Sequence, residues 1–235
     1  ITPNSKWLIL NSPSNPGGVG YDANDLMAFA AVMRRRPQLH LISDDIYEHL
    51  VYDDFKFVTM ATIAPDLQDR ILTVNGVSKS YCMTGWRIGY GSGPVPLIKA
   101  MAKVQSQSTS SPNSMAQYAA IAALDGPLDF MAENRAAFAR RRQLVCEALN
   151  NIDGIDCPLP DGAFYVYPSI AKLIGKKRPD GKIIEGDSDF VSYLLEAGEV
   201  AVVPGVAFGL PPYFRISYAA ADDVLADAMQ RIAKV

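Results

Sequence analysis

The sequence predicts an α/β protein: a mostly parallel sheet with helices on both faces, followed by a smaller C-terminal α+β domain. Three observations carry this. The chain opens with an apolar run (Trp7 to Leu10), a helix-period stretch (Asp22 to Arg36) and a second apolar run (Leu39 to Ser43), the strand-helix-strand order that builds parallel sheets. Helical patterns then dominate from Leu97 to Asn150, and the final third alternates short strands with short helices. The domains expected are 1–126 and 127–235, the second including a long bridging helix.

Taken in order, the first strand ends in Asn11-Ser12-Pro13-Ser14-Asn15-Pro16-Gly17-Gly18, the densest turn signal in the chain. Leu26, Phe29, Ala30 and Met33 recur at helical spacing, with Asp22 as the cap and Arg34, Arg35 and Arg36 suited to the negative helix end. Ile71 to Asn75 and Trp86 to Gly91 read as strands, and the gap between them is too short for a parallel crossover, so they are expected to run antiparallel. Helices are expected from Leu97 to Gln107, Ser114 to Leu124 and Leu128 to Asn150. The last bears Arg140-Arg141-Arg142, read as a solvated helix face. Strands are expected at Ala163 to Tyr167, Val200 to Val203 and Tyr213 to Tyr218, and helices at Asp187 to Ala197 and Ala221 to Val235; 175–186 reads as an exposed loop. There is no internal repeat. Only four strands precede the helices, fewer than a doubly wound sheet commonly has, so the sheet is expected to be small or to lack its front part.

Composition narrows the function. The 235 residues are 49% hydrophobic and 20% charged, with a net charge of -3, which reads as a soluble globular protein with neither a nucleic-acid nor a membrane partner. No apolar run approaches the roughly 20 residues of a membrane span, and the start lacks the pattern of a signal peptide, so a cytoplasmic location is expected. Cys82, Cys146 and Cys157 are odd in number and lack metal-ligand spacing; they read as free thiols, with no metal site. The two histidines, His40 and His49, support neither a Ser-His-Asp triad nor a zinc site, and no dinucleotide-binding or Walker loop is present.

What remains is a set of polar residues at strand ends: Asn15 after the first strand, Asp44 and Tyr47 after the second, Lys79 after the third, and Arg87 beside the fourth. Each has a plain structural reading as turn residue, helix N-cap, half-buried ring, loop lysine or surface cation. Ligands bind at the carboxyl ends of parallel strands, and together these residues supply an amine, a carboxylate, a phenol, an amide and a guanidinium. That kit suits an aldehyde cofactor with a pyridine ring and a phosphate, namely pyridoxal 5'-phosphate.

Four segments then resemble the class I pyridoxal-phosphate-dependent aminotransferases, in the family's order: Asn11 to Gly18, Ser43-Asp44-Asp45-Ile46-Tyr47-Glu48, Ser78-Lys79-Ser80-Tyr81-Cys82-Met83-Thr84-Gly85-Trp86-Arg87-Ile88-Gly89-Tyr90, and Phe214-Arg215-Ile216-Ser217-Tyr218-Ala219. The chain is most similar to bacterial aspartate aminotransferases of that class. The resemblance implies that Lys79 forms the Schiff base with the cofactor and then, as a free amine, moves the proton at the substrate Cα. It implies that Asp44 keeps the pyridine nitrogen protonated, that Tyr47 and Asn15 hydrogen-bond the ring's phenolic oxygen, and that Arg87 and Ser78 hold the phosphate. Arg215, with Asn15, is implied to bind the substrate α-carboxylate through a two-pronged fork.

The family pattern is departed from at Gly17, where many members have Thr, at Asp45, where Glu is usual, and at Gly76, where many have a phosphate-binding Ser or Thr. The glycine-rich phosphate turn and the stacking ring of the family's N-terminal half are not visible, so the chain is expected to be the rear part of a longer enzyme. The resemblance further implies a homodimer, with Gln105 to Asn113 matching a loop that approaches the partner's site. The activity implied is transfer of an amino group between an L-amino acid, aspartate favoured, and a 2-oxo acid such as 2-oxoglutarate. Alternatives are an aromatic, prephenate or alanine aminotransferase, a C-S lyase on the same cofactor, and a non-catalytic aminotransferase-like binding module.

Overall fold

A computed structural model describes all residues, 1–235. The chain divides into two units, Ile1–Ser14 with Gly20–Glu133, and Asn15–Val19 with Asn134–Val235. The division falls inside the long helix, and the short Asn15–Val19 segment joins the second unit. The sequence predicts the boundary at 126/127, with Asn15 in the first part, whereas the structure divides the chain after Glu133 and sets Asn15 in the second unit.

The first unit holds a four-stranded sheet in the order β1 (Trp7–Asn11), β2 (His40–Asp44), β3 (Ile71–Gly76) and β4 (Gly89–Ser92). β1, β2 and β3 are parallel, with Asn11 opposite Asp44 and Asp44 opposite Val74. β4 is antiparallel to β3, Gly89 facing Gly76. The connection from β3 to β4 thus returns the chain directly, as the short gap in sequence requires. Its first part is not strand: Thr84–Trp86 forms a single 3-10 turn, and β4 begins at Gly89.

Helix α1 (Ala23–Arg34) starts on a capping box, Asp22 Oδ1 accepting from the Asn24 and Asp25 amides at 2.7 and 2.9 Å while Asp25 Oδ2 accepts from the Asp22 amide at 3.1 Å. Its buried stripe, Leu26, Ala30 and Met33, packs with Leu10, Leu41 and Ile71 of the sheet. α2 (Met60–Ile63) and a 3-10 segment, Pro65–Arg70, add Met60, Ala64 and Leu67 to the same core. The other face of β1 carries Trp7 and Ile9, 43% and 65% exposed. α3 (Val95–Ser108) and α4 (Ser114–Leu124) follow, and Ala116 and Ala120 of α4 pack against Val77 and Ile88, which bracket the segment between β3 and β4. α5 (Asp129–Asn150) runs across the division into the second unit.

The second unit is built on a three-stranded antiparallel sheet, β5 (Tyr165–Val166), β7 (Phe214–Ser217) and β6 (Val203–Pro204), with β7 in the centre. α6 (Asp187–Gly198) and α7 (Asp222–Lys234) supply Phe190, Leu194, Leu225, Met229 and Ile232 to its buried interior. Arg141 Nε, from the basic run on α5, donates to Asp222 Oδ1 at 2.6 Å at the start of α7. No helix of the chain is long and apolar enough to cross a membrane.

Candidate active site

In the first unit the strand register gathers the predicted residues at one sheet edge. Asp44 is the last residue of β2, and the parallel β3 ends beside it, leading into Ser78 and Lys79. Because β4 runs the other way, the turn holding Arg87 enters at that same edge, where Gly89 pairs with Gly76. Carboxyl ends of parallel strands leave their backbone groups and following loops open to a ligand, which makes this edge the place for chemistry.

Asp44 is not a helix N-cap, because no helix follows it: residues 46–49 form a turn, and the Ile46 amide approaches Asp44 Oδ1 at 3.4 Å. Burial pushes its carboxyl above the usual carboxylate range, the Ile46 amide opposing this. The carboxylate makes no ion pair. Tyr47 is buried rather than half-buried, 3% exposed. Its turn is tied to β3 by Asn75, whose Nδ2 donates to Glu48 Oε1 at 2.6 Å and whose Oδ1 accepts from the Gly76 amide at 2.7 Å. Neighbouring Asp45 is buried, accepts from the Ser43 hydroxyl at 2.8 Å, and is pushed up to about 6 chiefly by burial.

Lys79 sits, half-buried, on a tight turn in which the Cys82 amide donates to Lys79 O at 3.1 Å and the Met83 amide to Val77 O at 3.3 Å. The packing of Val77 and Ile88 on α4 anchors both ends of this segment. Tyr81 lies edge-on to His49, 6.4 Å between centroids, which links the lysine turn to the Tyr47 turn. Cys82 and Arg87 both adopt left-handed backbone with φ 55°, a conformation that costs non-glycine residues energy and that surrounding structure must enforce. Arg87 Nη1 donates to Thr84 O at 2.8 Å, and the exposed guanidinium lines a groove with Gln105, Thr109, Ser111 and Asn113, part of the stretch singled out in the sequence. Gly76 explains its own identity: a Cβ there would lie 2.9 Å from Ile88 O, so a Ser or Thr would push β3 and β4 apart.

In the second unit Arg215 lies on the central strand β7, and its Nη1 donates to Asn15 Oδ1 at 2.8 Å. The guanidinium is flanked by Tyr165 at 4.8 Å and Phe208 at 5.1 Å from the ring centroids. Its Nε is buried with no hydrogen-bond partner, a donor awaiting an acceptor. The Asn15 segment is seated by Gly18, whose carbonyl accepts from the Gly162 amide at 2.9 Å. The structure thus brings Asp44, Tyr47, Ser78, Lys79 and Arg87 to one edge of the first unit, and Asn15 with Arg215 in the second. Sequence reasoning missed the supporting residues Asn75, Glu48, Tyr165 and Phe208. None stands in a motif of its own; only the alternation of β5 and the neighbouring family segments hinted at them.

This donor set suits pyridoxal phosphate, the cofactor of the class I aminotransferases. A desolvated carboxylate with no counter-charge fits a protonated ring nitrogen, a lysine on the adjoining strand's exit fits an aldehyde, and an exposed guanidinium fits a phosphate. The chain is 60% identical over 232 residues to the aspartate/prephenate aminotransferase of Cereibacter sphaeroides, covering 99% of this chain and 58% of that protein. It is 57% identical over 233 residues to an aspartate aminotransferase of Rhizobium meliloti, covering 99% and 57%. Among solved structures, the aspartate aminotransferase from Rhizobium meliloti superposes with a TM-score of 0.97 at 56% identity, over 100% of this chain and 58% of that one. The aromatic aminotransferase from Pyrococcus horikoshii superposes at 0.89 and 37%, over 100% and 60%. The chain therefore spans little more than half the length of the curated relatives it matches. The family profile of class I and II aminotransferases matches residues 1–232, and with these relatives it shows that the chain belongs to that family.

Proposed function

We propose that the protein carrying this chain is a pyridoxal-phosphate-dependent aminotransferase that moves an amino group between an L-amino acid, aspartate favoured, and a 2-oxo acid such as 2-oxoglutarate. One observation carries the reading: the half-buried, unpaired carboxylate of Asp44 and the Lys79 turn stand at adjoining parallel strand ends. Pyridoxal phosphate, when bound, supplies an aldehyde carbon and a pyridinium ring able to accept the negative charge released at the substrate Cα.

The chain's own residues then divide the work. Lys79 Nζ would hold the cofactor between turnovers and, as a free amine, would move the proton at the substrate Cα. Asp44 would hold the proton on the pyridine nitrogen, where a cation would offset the desolvation that raises the carboxyl. Tyr47 and Asn15 would donate to the ring's phenolic oxygen, and Arg87 with Ser78 would grip the phosphate. Arg215 binds the substrate α-carboxylate, Asn15 steadying one Nη and the buried Nε left for the incoming oxygen. We place the enzyme in the cytoplasm as a homodimer. Apolar Val104, Met115 and Tyr118, exposed on α3 and α4, support a partner surface on the first unit.

A second substrate deserves the same assay, because one relative carries both aspartate and prephenate in its name. The test is borohydride reduction of the protein with pyridoxal phosphate, read by intact mass and absorption, on wild type and Lys79→Ala. Aspartate is then added to unreduced wild type, followed by 2-oxoglutarate or prephenate. A Lys79-dependent mass increase and spectral conversion by aspartate support the reading. A mass increase without conversion by any amino acid points to a binding module, and none at all removes the cofactor assignment.

A further inference from the structure

The second unit also holds a pair of thiols that transamination does not use. Cys146 lies on α5 and Cys157 in the segment after it, and Cys157 Sγ donates to Cys146 Sγ at 3.8 Å. The approach is built. Asn150, one helical turn after Cys146, clamps the Cys157 backbone with both ends of its amide, Nδ2 to Cys157 O at 2.9 Å and Oδ1 from Cys157 N at 2.8 Å. One turn before Cys146, the buried Arg142 donates from Nη1 to Pro160 O at 2.8 Å, pinning the far side of the same segment. Both cysteines are nearly covered, 3% and 2% exposed, yet both line a surface groove with Gln143, Glu147, Asn150 and Leu159, so a small reagent can reach them.

We propose that Cys146 and Cys157 form a reversible disulfide site whose oxidant is a hydroperoxide. The Cys146 sulfur attacks the hydroperoxide, the O–O bond breaks, and an alcohol or water leaves, giving a sulfenic acid. The Cys157 sulfur attacks that sulfur, the S–S bond forms, the S–O bond breaks, and water leaves with the Cys157 proton. Two thiols lose two electrons, and the hydroperoxide is reduced to an alcohol, or water, plus one water. The roles follow from the contact: the bond from Cys157 holds the Cys146 thiol below its usual range, helped by the Arg142 guanidinium, while the same contact and burial push Cys157 up. Closing from contact to a bond of about 2 Å needs side-chain rotation within a segment already clamped in register. Cys82 is exposed and free.

Hydrogen peroxide titration of the purified protein carrying this chain, with Cys82→Ser, tests the proposal. Samples are unfolded, alkylated and digested with trypsin, which leaves both thiols in the one peptide 143–172. The expected result is loss of about 2 Da and of both alkylation sites in that peptide, reversed by dithiothreitol. Cys157→Ser should instead gain about 16 Da as a dimedone-reactive sulfenic acid at Cys146, and Asn150→Ala should slow disulfide formation several-fold. The native protein should react at least about tenfold faster than the urea-unfolded chain. Two alkylatable thiols at peroxide levels that oxidise other cysteines, or equal rates in native and unfolded protein, would overturn it.

Discussion

Arg215 is held in a way that lysine cannot reproduce. Its planar guanidinium stacks between Tyr165 and Phe208, spends one Nη on Asn15, and still presents the buried Nε. Arg215→Lys keeps the charge and loses both the stack and the fork. It should raise KM for amino and oxo acids by about tenfold or more while leaving cofactor affinity within about twofold. Steady-state kinetics beside a cofactor titration checks this, and equal losses in both would place Arg215 in the cofactor site. Asp44→Ala should do the opposite, lowering kcat by about a hundredfold or more with a smaller loss of cofactor binding, since its charge matters most when negative charge develops at Cα. A variant with unchanged kcat would deny Asp44 the pyridine nitrogen.

Elements show what could be read from sequence and what could not. α1 was legible in full, from its Asp22 cap to its apolar stripe, because both signals are local. The antiparallel β4 followed from chain length alone. The three arginines at the end of α1 suggested a favourable charge, yet the carbonyls there are bonded by Arg70, the last residue of the 3-10 segment, which donates to Met33 O and Arg36 O at 3.0 Å. α2 and that 3-10 segment are shorter than a helical period can register, and so went unread. Lys79, Asp44 and Arg87 stand out in the sequence because their neighbours form motifs, and the strand register sets them at one sheet edge. Tyr165 and Phe208 do not stand out, because what they do depends on contacts between distant stretches of chain. The Asn15 segment belongs to this second kind. Gly18 has φ +68°, and a Cβ there would lie 2.5 Å from Pro160 Cβ and 2.7 Å from Gly162 O. Gly18→Ala should therefore cost about 2–4 kcal/mol in urea unfolding and weaken carboxylate binding through Asn15. An unperturbed variant would show that the segment is seated by something other than that contact.

For the whole molecule, a net charge of -3 leaves little general repulsion, so the pH dependence of global stability rests on a few carboxylates. Asp66, Asp180 and Asp222 are held low by hydrogen bonds from Arg34, Arg178 and Arg141; their contributions are present near neutrality and lost on acidification. Asp44 and Asp45 at the sheet edge act in the opposite sense. Asp45 rises from 3.8 to about 6, chiefly by burial, so the folded state binds its proton more tightly than the unfolded chain does. That contribution is complete below about pH 4 and is lost as pH rises through about 6, an upper limit of about 3 kcal/mol. Asp45→Asn keeps an oxygen for the Ser43 hydroxyl and removes the ionisation. The variant should match wild type near pH 3.5 and exceed it by about 1–2 kcal/mol at pH 8, with the difference opening between about pH 4 and 6. Urea unfolding across that range measures it directly. A variant that is less stable at pH 8 would mean that the ionised Asp45 is stabilised in the fold by more than its burial costs, and the acid side of the profile would then belong to the arginine-paired carboxylates alone.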